Sequence, residues 1–197
     1  MRQFIVVGQD APTTDEFSLD ALPNAGRMDL LARCVTASLL LSHGIREDVR
    51  TFLVLADAFT VRFEGREVRR LNPDERSTAA LVRTALADRE EAIGHIPVET
   101  SPGVSLSRVG FETTLETAAK DGTVCQLHED GEPANECEPP ADPVFVLSDH
   151  QNLGEDYVAV LDGYRQQQVT LGPERLHADQ AITVAHNWLD TDGFEVY

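Results

Sequence analysis

Lysine is almost missing from this chain: Lys120 is the only one in 197 residues, every other cation is arginine, and acids outnumber bases 34 to 16. The formal charge of −18 opposes a nucleic-acid partner at ordinary ionic strength, because affinity for phosphate is chiefly electrostatic. In molar salt that exclusion lapses, since the Debye length falls to about 3 Å and only contact geometry survives. Acid-rich, lysine-poor composition is the pattern of halophilic cytoplasm, although an acidic mesophilic protein carries the same excess. The charge therefore speaks of habitat before it speaks of partner.

Other absences narrow the field. Cys34, Cys125 and Cys137 are odd in number and show no C-x-x-C spacing, which fits reduced packing thiols and excludes a disulfide scaffold or a thiolate zinc site. No apolar run approaches the roughly 18 residues that span a bilayer, and no charged leader precedes an apolar stretch, so a cytoplasmic protein without a membrane partner is expected. The phosphate-binding and nucleophile-elbow motifs G-x-x-x-x-G-K-[ST], G-x-G-x-x-G and G-x-S-x-G do not occur, which argues against nucleotide hydrolysis, dinucleotide redox chemistry and an α/β-hydrolase. Asp149-His150 and His128-Glu129-Asp130 are adjacent in sequence and point in different directions on a strand or turn, so no metal is expected.

What remains is an ordinary globular composition, 42% hydrophobic and 25% charged, in one domain spanning residues 1–197. Short apolar runs at 3–7 and 51–56 read as core strands. A mostly apolar helix is expected from Ala25 to Gly44, buried nearly all round and in part by a second subunit, with Asp29, Arg33 and Thr36 on its one polar face. Residues 60–69 alternate like a hairpin turning at Glu64-Gly65. Asn72-Pro73-Asp74-Glu75 supplies a cap, a proline and first-turn acids for a helix to about Arg89. Beyond a strand at 103–108 and a helix at 111–119, strands at 123–127, 144–147 and 167–171 alternate with helices at 155–161 and 177–189, with an acidic surface loop at 128–142. Such alternation implies an α/β protein with a mostly parallel sheet flanked by helices.

In open α/β sheets ligands sit beyond the carboxyl ends of the strands, so the loops after Leu127, Leu147 and Leu171 form the expected pocket. Two of them, Ser148-Asp149-His150-Gln151-Asn152-Leu153-Gly154 and Gly172-Pro173-Glu174-Arg175-Leu176, carry small and turn-forming residues that let backbone groups meet a ligand.

Three long segments carry a resemblance: Leu19 to Leu31 with Leu22-Pro23-Asn24-Ala25-Gly26-Arg27-Met28-Asp29, Val61 to Ser77 with Asn72-Pro73-Asp74-Glu75-Arg76, and Thr170 to Gln180 with Leu171-Gly172-Pro173 and His177-Ala178-Asp179-Gln180. In these the chain resembles, over nearly its whole length, the TrmY family of archaeal tRNA (pseudouridine-54, N1)-methyltransferases in the SPOUT superfamily. The resemblance implies a homodimer, a tRNA substrate, and a C-terminal trefoil knot over roughly 123–197 that binds S-adenosylmethionine. It places the cofactor on Leu127, Ser148, Gly154, Leu171, Gly172, Pro173, Glu174, Arg175, Leu176 and Ala181. Ser148 stands where related enzymes have glycine, and Ala181 where relatives often have cysteine.

On the substrate side, Arg27, Asn72 and Arg76 resemble in position the RNA-gripping elements of rRNA N1-pseudouridine methyltransferases. N1 of pseudouridine must lose its proton as it attacks the methyl group, so a base or a stabiliser of the anionic ring is needed. Asp29 and Asp57 are the candidates, and the sequence does not choose between them. A T-loop base is stacked inside folded tRNA, so recognition by shape and exposure of the base are expected. Methylation of an rRNA pseudouridine, another SPOUT RNA methylation, and a non-catalytic dimeric RNA-binding module are the rival readings.

Overall fold

The computed structural model describes residues 1–69 and 71–197. Its elements run β1 (Arg2–Gly8), α1 (Met28–Leu39), β2 (Leu40–Leu41), β3 (Gly44–Ile45), β4 (Val49–Leu55), β5 (Phe59–Glu64), α2 (Glu75–Ala87), β6 (Val98–Ser101), β7 (Val104–Ser107), α3 (Phe111–Ala119), β8 (Thr123–Pro133), β9 (Pro143–Ser148), α4 (Glu155–Asp162), β10 (Gln167–Thr170) and α5 (Ala178–Asp190). Eight strands form one sheet in the order β10-β8-β9-β1-β4-β5-β7-β6. Its first five strands are parallel, and β5, β7 and β6 extend it antiparallel. The expected α/β class is present, with an antiparallel wing that alternation of strands and helices did not foretell.

Strand β1 shows why the sheet is covered on both sides. Phe4 and Val6 belong to the core beneath α1, α2 and α5, while Ile5 and Val7 belong to the core beneath α3 and α4. Successive side chains on a strand point to opposite faces, so an unbroken apolar run needs cover on both. Each of these residues is fully buried, which contributes about 1.5–3 kcal/mol apiece. Phe4 stacks on Phe145 at 5.3 Å, and Phe145 meets Trp188 of α5 at 6.4 Å, so the last helix is docked through aromatic contacts. Cys34 and Cys125 are buried and free, and burial pushes the Cys125 thiol up to about 12. These two fit the packing role expected of reduced thiols, and Cys137 is free and half-buried.

Four local expectations are corrected. Helix α1 stops at Leu39 because Leu40-Leu41 pairs with Gly44-Ile45 as a minimal hairpin, and Gly44 is not left-handed. Strand β5 turns back from β4 at Ala56 and Asp57, both left-handed, so Gly65 is no hairpin turn. It marks a close approach instead: a Cβ there would lie 2.1 Å from the Arg46 carbonyl oxygen. The cap of α2 is Asp74, whose carboxylate accepts the Ser77 N–H at 2.7 Å, two residues later than Asn72. Strand β8 continues to Pro133 through the expected acidic loop, because β10 pairs first with Cys125 and Gln126 and then with Glu132 and Pro133, looping out residues 127–131.

His186 of α5 is a buried structural group. Arg2 can only donate, so its Nη1 contact at 3.1 Å makes His186 Nδ1 an acceptor, and Nε2–H donates to the Ser38 carbonyl at 3.0 Å. Burial and then the nearby Arg46 and Arg2 charges lower its pKa from 6.5 to about 4. The unfolded chain therefore binds a proton that the folded one refuses as pH falls from about 6.5 to 4. Stability is expected to fall by roughly 2–3 kcal/mol across that window, as measured by urea unfolding, and His186→Gln should lack this component of the pH dependence.

Candidate active site

A cleft of about 220 Å³ opens where β9 and β10 end and β8 leaves its register. Of the residues expected at a cofactor, Leu127, Ser148, Leu171, Gly172, Glu174, Arg175, Leu176 and Ala181 line it. Gly154 and Pro173 do not. Gly154 caps α4 instead, and Pro173 is exposed on the outside of its turn. The lining is mixed, with leucines from all three loops beside Gln126, Asp149, Asn152 and Thr170. A Cβ on Gly172 would meet only the Glu174 carbonyl oxygen, at an ordinary contact distance of 3.8 Å, so a side chain there would not clash with the turn. Among the described residues, the backbone N–H groups of Gly172, Glu174, Arg175 and Leu176 make no hydrogen bond within the chain. Amides in that state are satisfied by water or by a ligand.

The rim is fastened from side to side. Arg175 pairs with Glu129 at 2.8 Å and donates to Asn152 Oδ1 at 2.6 Å, joining all three loops across the mouth. Beneath it, Asp149 is a buried carboxyl that accepts the N–H groups of Gln9 at 3.2 Å and Gln151 at 3.0 Å. Burial pushes Asp149 up. Gln9, which follows β1, also reaches Ser148, Asn152 and Gly154. Neither Gln9 nor Asp149 was singled out from the sequence as a site residue. The only signal for Gln9 was its place immediately after a buried strand.

Arg27, Asp29 and Arg33 form a second cluster at the start of α1. Gly26 and Arg27 are both left-handed, and a Cβ on Gly26 would lie 1.9 Å from the Asp10 carbonyl oxygen, so glycine is required there. Arg27 holds its left-handed backbone at a cost of order 1–3 kcal/mol while its guanidinium forks onto Asp29, at 2.9 and 3.0 Å. Arg33 reaches the same carboxylate at 3.2 Å, Glu75 at 2.8 Å and Asp179 at 3.1 Å. Asp29 is 5% exposed. Burial alone would raise its pKa, but hydrogen bonds from Arg27 and Arg33 outweigh that and hold it below the usual carboxylate range.

These contacts bear on the two carboxylates expected to take the proton, neither of which lines the cleft. Asp29 is locked between two guanidiniums. Asp57 accepts the Phe111 N–H at 2.6 Å and so anchors the start of α3. Both carboxylates accept hydrogen bonds from within the fold. Of the residues expected to hold RNA, Arg76 is exposed and pairs with Asp20, and Asn72 is exposed with only a 3.4 Å contact to Ser77. Among the described residues no group of three or more His, Cys, Asp or Glu is placed to hold a metal ion.

Residues 1–194 match the family described as SAM-dependent RNA methyltransferase. Proteins named tRNA (pseudouridine(54)-N(1))-methyltransferase are similar over their full length: that of Haloarcula marismortui is 64% identical and that of Haloferax volcanii 63%, each with all of both chains covered. The protein of that name from Thermococcus kodakarensis is 41% identical over 96% of this chain and 99% of its own. Among solved structures, Archaeoglobus fulgidus Nep1 bound to S-adenosylhomocysteine is similar in fold, with a TM-score of 0.61 at 16% identity, covering 96% of this chain and 94% of that one.

Asp29→Asn removes a buried charge from between two arginines and is expected to destabilise the fold by roughly 2–4 kcal/mol, measured by urea unfolding near pH 7. Because the folded pKa of Asp29 is lowered, its stabilisation is fully present above its unfolded value of about 4 and is lost as pH falls through the folded one. Loss of stability below 0.5 kcal/mol would show that the cluster does not hold α1 in place.

Proposed function

This chain belongs to the SAM-dependent RNA methyltransferase family, and we propose that it methylates N1 of pseudouridine-54 in tRNA, using S-adenosylmethionine held in the cleft between the ends of β8, β9 and β10. The observation that carries the reading is the Leu171–Leu176 turn, which lines the cleft at Gly172 with unpaired amides beside apolar walls. Such a turn suits a nucleoside: leucine side chains cover a base, and free N–H groups meet its polar edge. When bound there, S-adenosylmethionine supplies an electrophilic methyl group on a sulfonium.

The residues do the rest. The two loops hold the donor at a fixed place, so that the ring nitrogen can be brought in line at near-attack distance. Arg27 and Arg76, with Asn72, are the RNA-facing groups in this reading. A guanidinium donates in a planar fork that suits phosphate and the carbonyl oxygens of a pyrimidine, and favours the ring anion that forms as N1–H loses its proton. Asp29 has a different part from the one expected of it. Its carboxylate stays charged and aims Arg27, while Asp57 stays with α3 and is assigned no chemistry.

The finer points are of the same standing. We read the chain as one domain, with the segment from β8 to the end forming the SPOUT knot; the continuous sheet and the return of α5 onto α1 support this. We place a second copy against the groove beside α1 that Thr36, Ala37 and Leu40 line together with Pro73, Gln180 and Thr183; the neighbouring residue in sequence, Leu41, is 49% exposed. No helix of the described residues is long and apolar enough to cross a membrane, and a tRNA-modifying enzyme works in the cytoplasm, where we place it. The charge of −18 and the likeness to proteins of Haloarcula and Haloferax support a halophilic habitat.

Gly172→Val should fill the cleft without disturbing the fold, lowering affinity for S-adenosylhomocysteine at least tenfold, about 1.4 kcal/mol, in calorimetry. Mass spectrometry of nucleosides from tRNA incubated with the wild-type enzyme should show 1-methylpseudouridine, and tRNA incubated with the variant should lack it. Its absence with wild type removes the proposed reaction. Salt provides a separate check. With one lysine and −18 net charge, the melting temperature should climb steeply from about 0.1 M to molar potassium chloride as self-repulsion is screened. Equal melting temperatures at both salts would contradict the halophilic reading alone.

A further inference from the structure

We propose that Gln9 is the positioning residue that shapes the loop from Ser148 to Gly154, an inference that rests on the reading of the cleft as a cofactor site. One side chain meets the beginning, the middle and the end of that loop. Gln9 Nε2 donates to Ser148 Oγ at 3.2 Å and to the Asn152 carbonyl at 2.9 Å, and Gln9 Oε1 accepts the Gly154 N–H at 3.0 Å. Its backbone N–H adds the contact to Asp149 at 3.2 Å. Both N–H groups and the oxygen of the side-chain amide are thus engaged. Turning the amide over would set its NH₂ against the Gly154 N–H and its oxygen against the Asn152 carbonyl, so the network closes in one orientation only.

The placement follows from the sheet. Strand β1 lies beside β9 with Val7 level with Ser148, so the residues just past Gly8 stand next to the loop that leaves β9. Ser148 and Asn152 line the cleft, and Gly154 starts α4. Without the Gln9 side chain the loop keeps the N–H contact from Asp149 to Val7 at 3.1 Å and that from Gln151 to Asp149 at 3.0 Å, together with the Gln151 to Asp10 contact at 2.5 Å. These pin its first half. In the second, Arg175 reaches the Asn152 side chain and the Gly154 carbonyl accepts the Val158 N–H at 3.0 Å, while among the described residues Gln9 is the one that bonds the Asn152 carbonyl and the Gly154 N–H. Gln9 holds Asn152 and Gly154, and Asn152 in turn receives Arg175 from the opposite rim. Gln9 therefore acts on the methyl donor through the loop, without touching it.

The test compares Gln9→Ala and Gln9→Glu with wild type by calorimetry against S-adenosylhomocysteine and by steady-state methylation of tRNA. Both variants are expected to weaken S-adenosylhomocysteine tenfold or more and to raise KM for S-adenosylmethionine by a larger factor than they lower kcat, with tRNA affinity unmoved. A residue that merely supports the fold would lower the melting temperature and kcat and leave KM alone, and that pattern overturns the proposal. Gln9→Glu keeps the length and the acceptor for Gly154 but turns an oxygen toward the Asn152 carbonyl, so it decides the matter if Gln9→Ala does not fold. Either variant binding within twofold of wild type also overturns it. Wild type that binds no S-adenosylhomocysteine would instead remove the cofactor reading on which the proposal stands.

Discussion

A single buried carboxylate organises one side of this molecule. Asp29 sits in the first turn of α1, where a negative charge is favoured by the helix but where burial penalises it. It is kept charged by three guanidinium contacts, two from Arg27 and one from Arg33. Arg33 then turns outward to Glu75, the first residue of α2, and Asp179, in the first turn of α5. Each acid lies where its own helix favours a negative charge, so three helix starts converge on one arginine. Removing the arginines would leave Asp29 buried and uncompensated, whereas without Asp29 the half-exposed Arg33 keeps Glu75 and Asp179. The left-handed Arg27, and the tight turn at Gly26 against Asp10, follow from the same anchor.

The cleft borders that anchor, since Ala178 and Ala181 line it on either side of Asp179, but it depends on a different device. Parallel neighbours end at the same edge, so β8, β9 and β10 deliver three loops to one place. The loops are too polar and too short of secondary structure to pack on one another. They are joined by side-chain amides and one arginine: Gln9 inside, Arg175 with Glu129 and Asn152 at the mouth. These contacts are short and directional. In strong salt, where long-range fields are screened, bonds of this kind retain their effect and a diffuse basic surface does not.

Much of the architecture was legible because its signals are local. The apolar runs of β1 and β4, the proline before α2 and the stripe of α5 each state their own structure within a few residues. The hairpin at Gly65 was misread because glycine there answers an approach by Arg46, from a distant segment that no window of sequence contains. Strand β8 was cut short for a similar reason, since Gly131 and Glu132 look like loop until β10 supplies a partner. The cleft followed from a rule about parallel sheets together with the resemblance, and eight of the ten residues expected there line it. Gly154 and Pro173 sit beside it because one starts a helix and the other faces out. Asp29 and Asp57 are legible in sequence only as isolated carboxylates; their partners, Arg27 and Arg33 for one and the Phe111 N–H for the other, come from contacts that local patterns do not show.

Ser148 joins these observations. A glycine at the end of β9 would allow a ligand to approach the backbone from any side, and a serine hydroxyl would ordinarily obstruct it. Here the hydroxyl is taken by Gln9, a partner supplied by the neighbouring strand, and is thereby held against the β1 end of the site. The cost of the larger residue is then small, because its polar atom is satisfied and its direction is set. What the chain gives up in backbone freedom at position 148 it regains as a fixed contact between β1 and the loop. Rigidity of that origin suits a reaction whose barrier falls by holding a nitrogen and a methyl group in line.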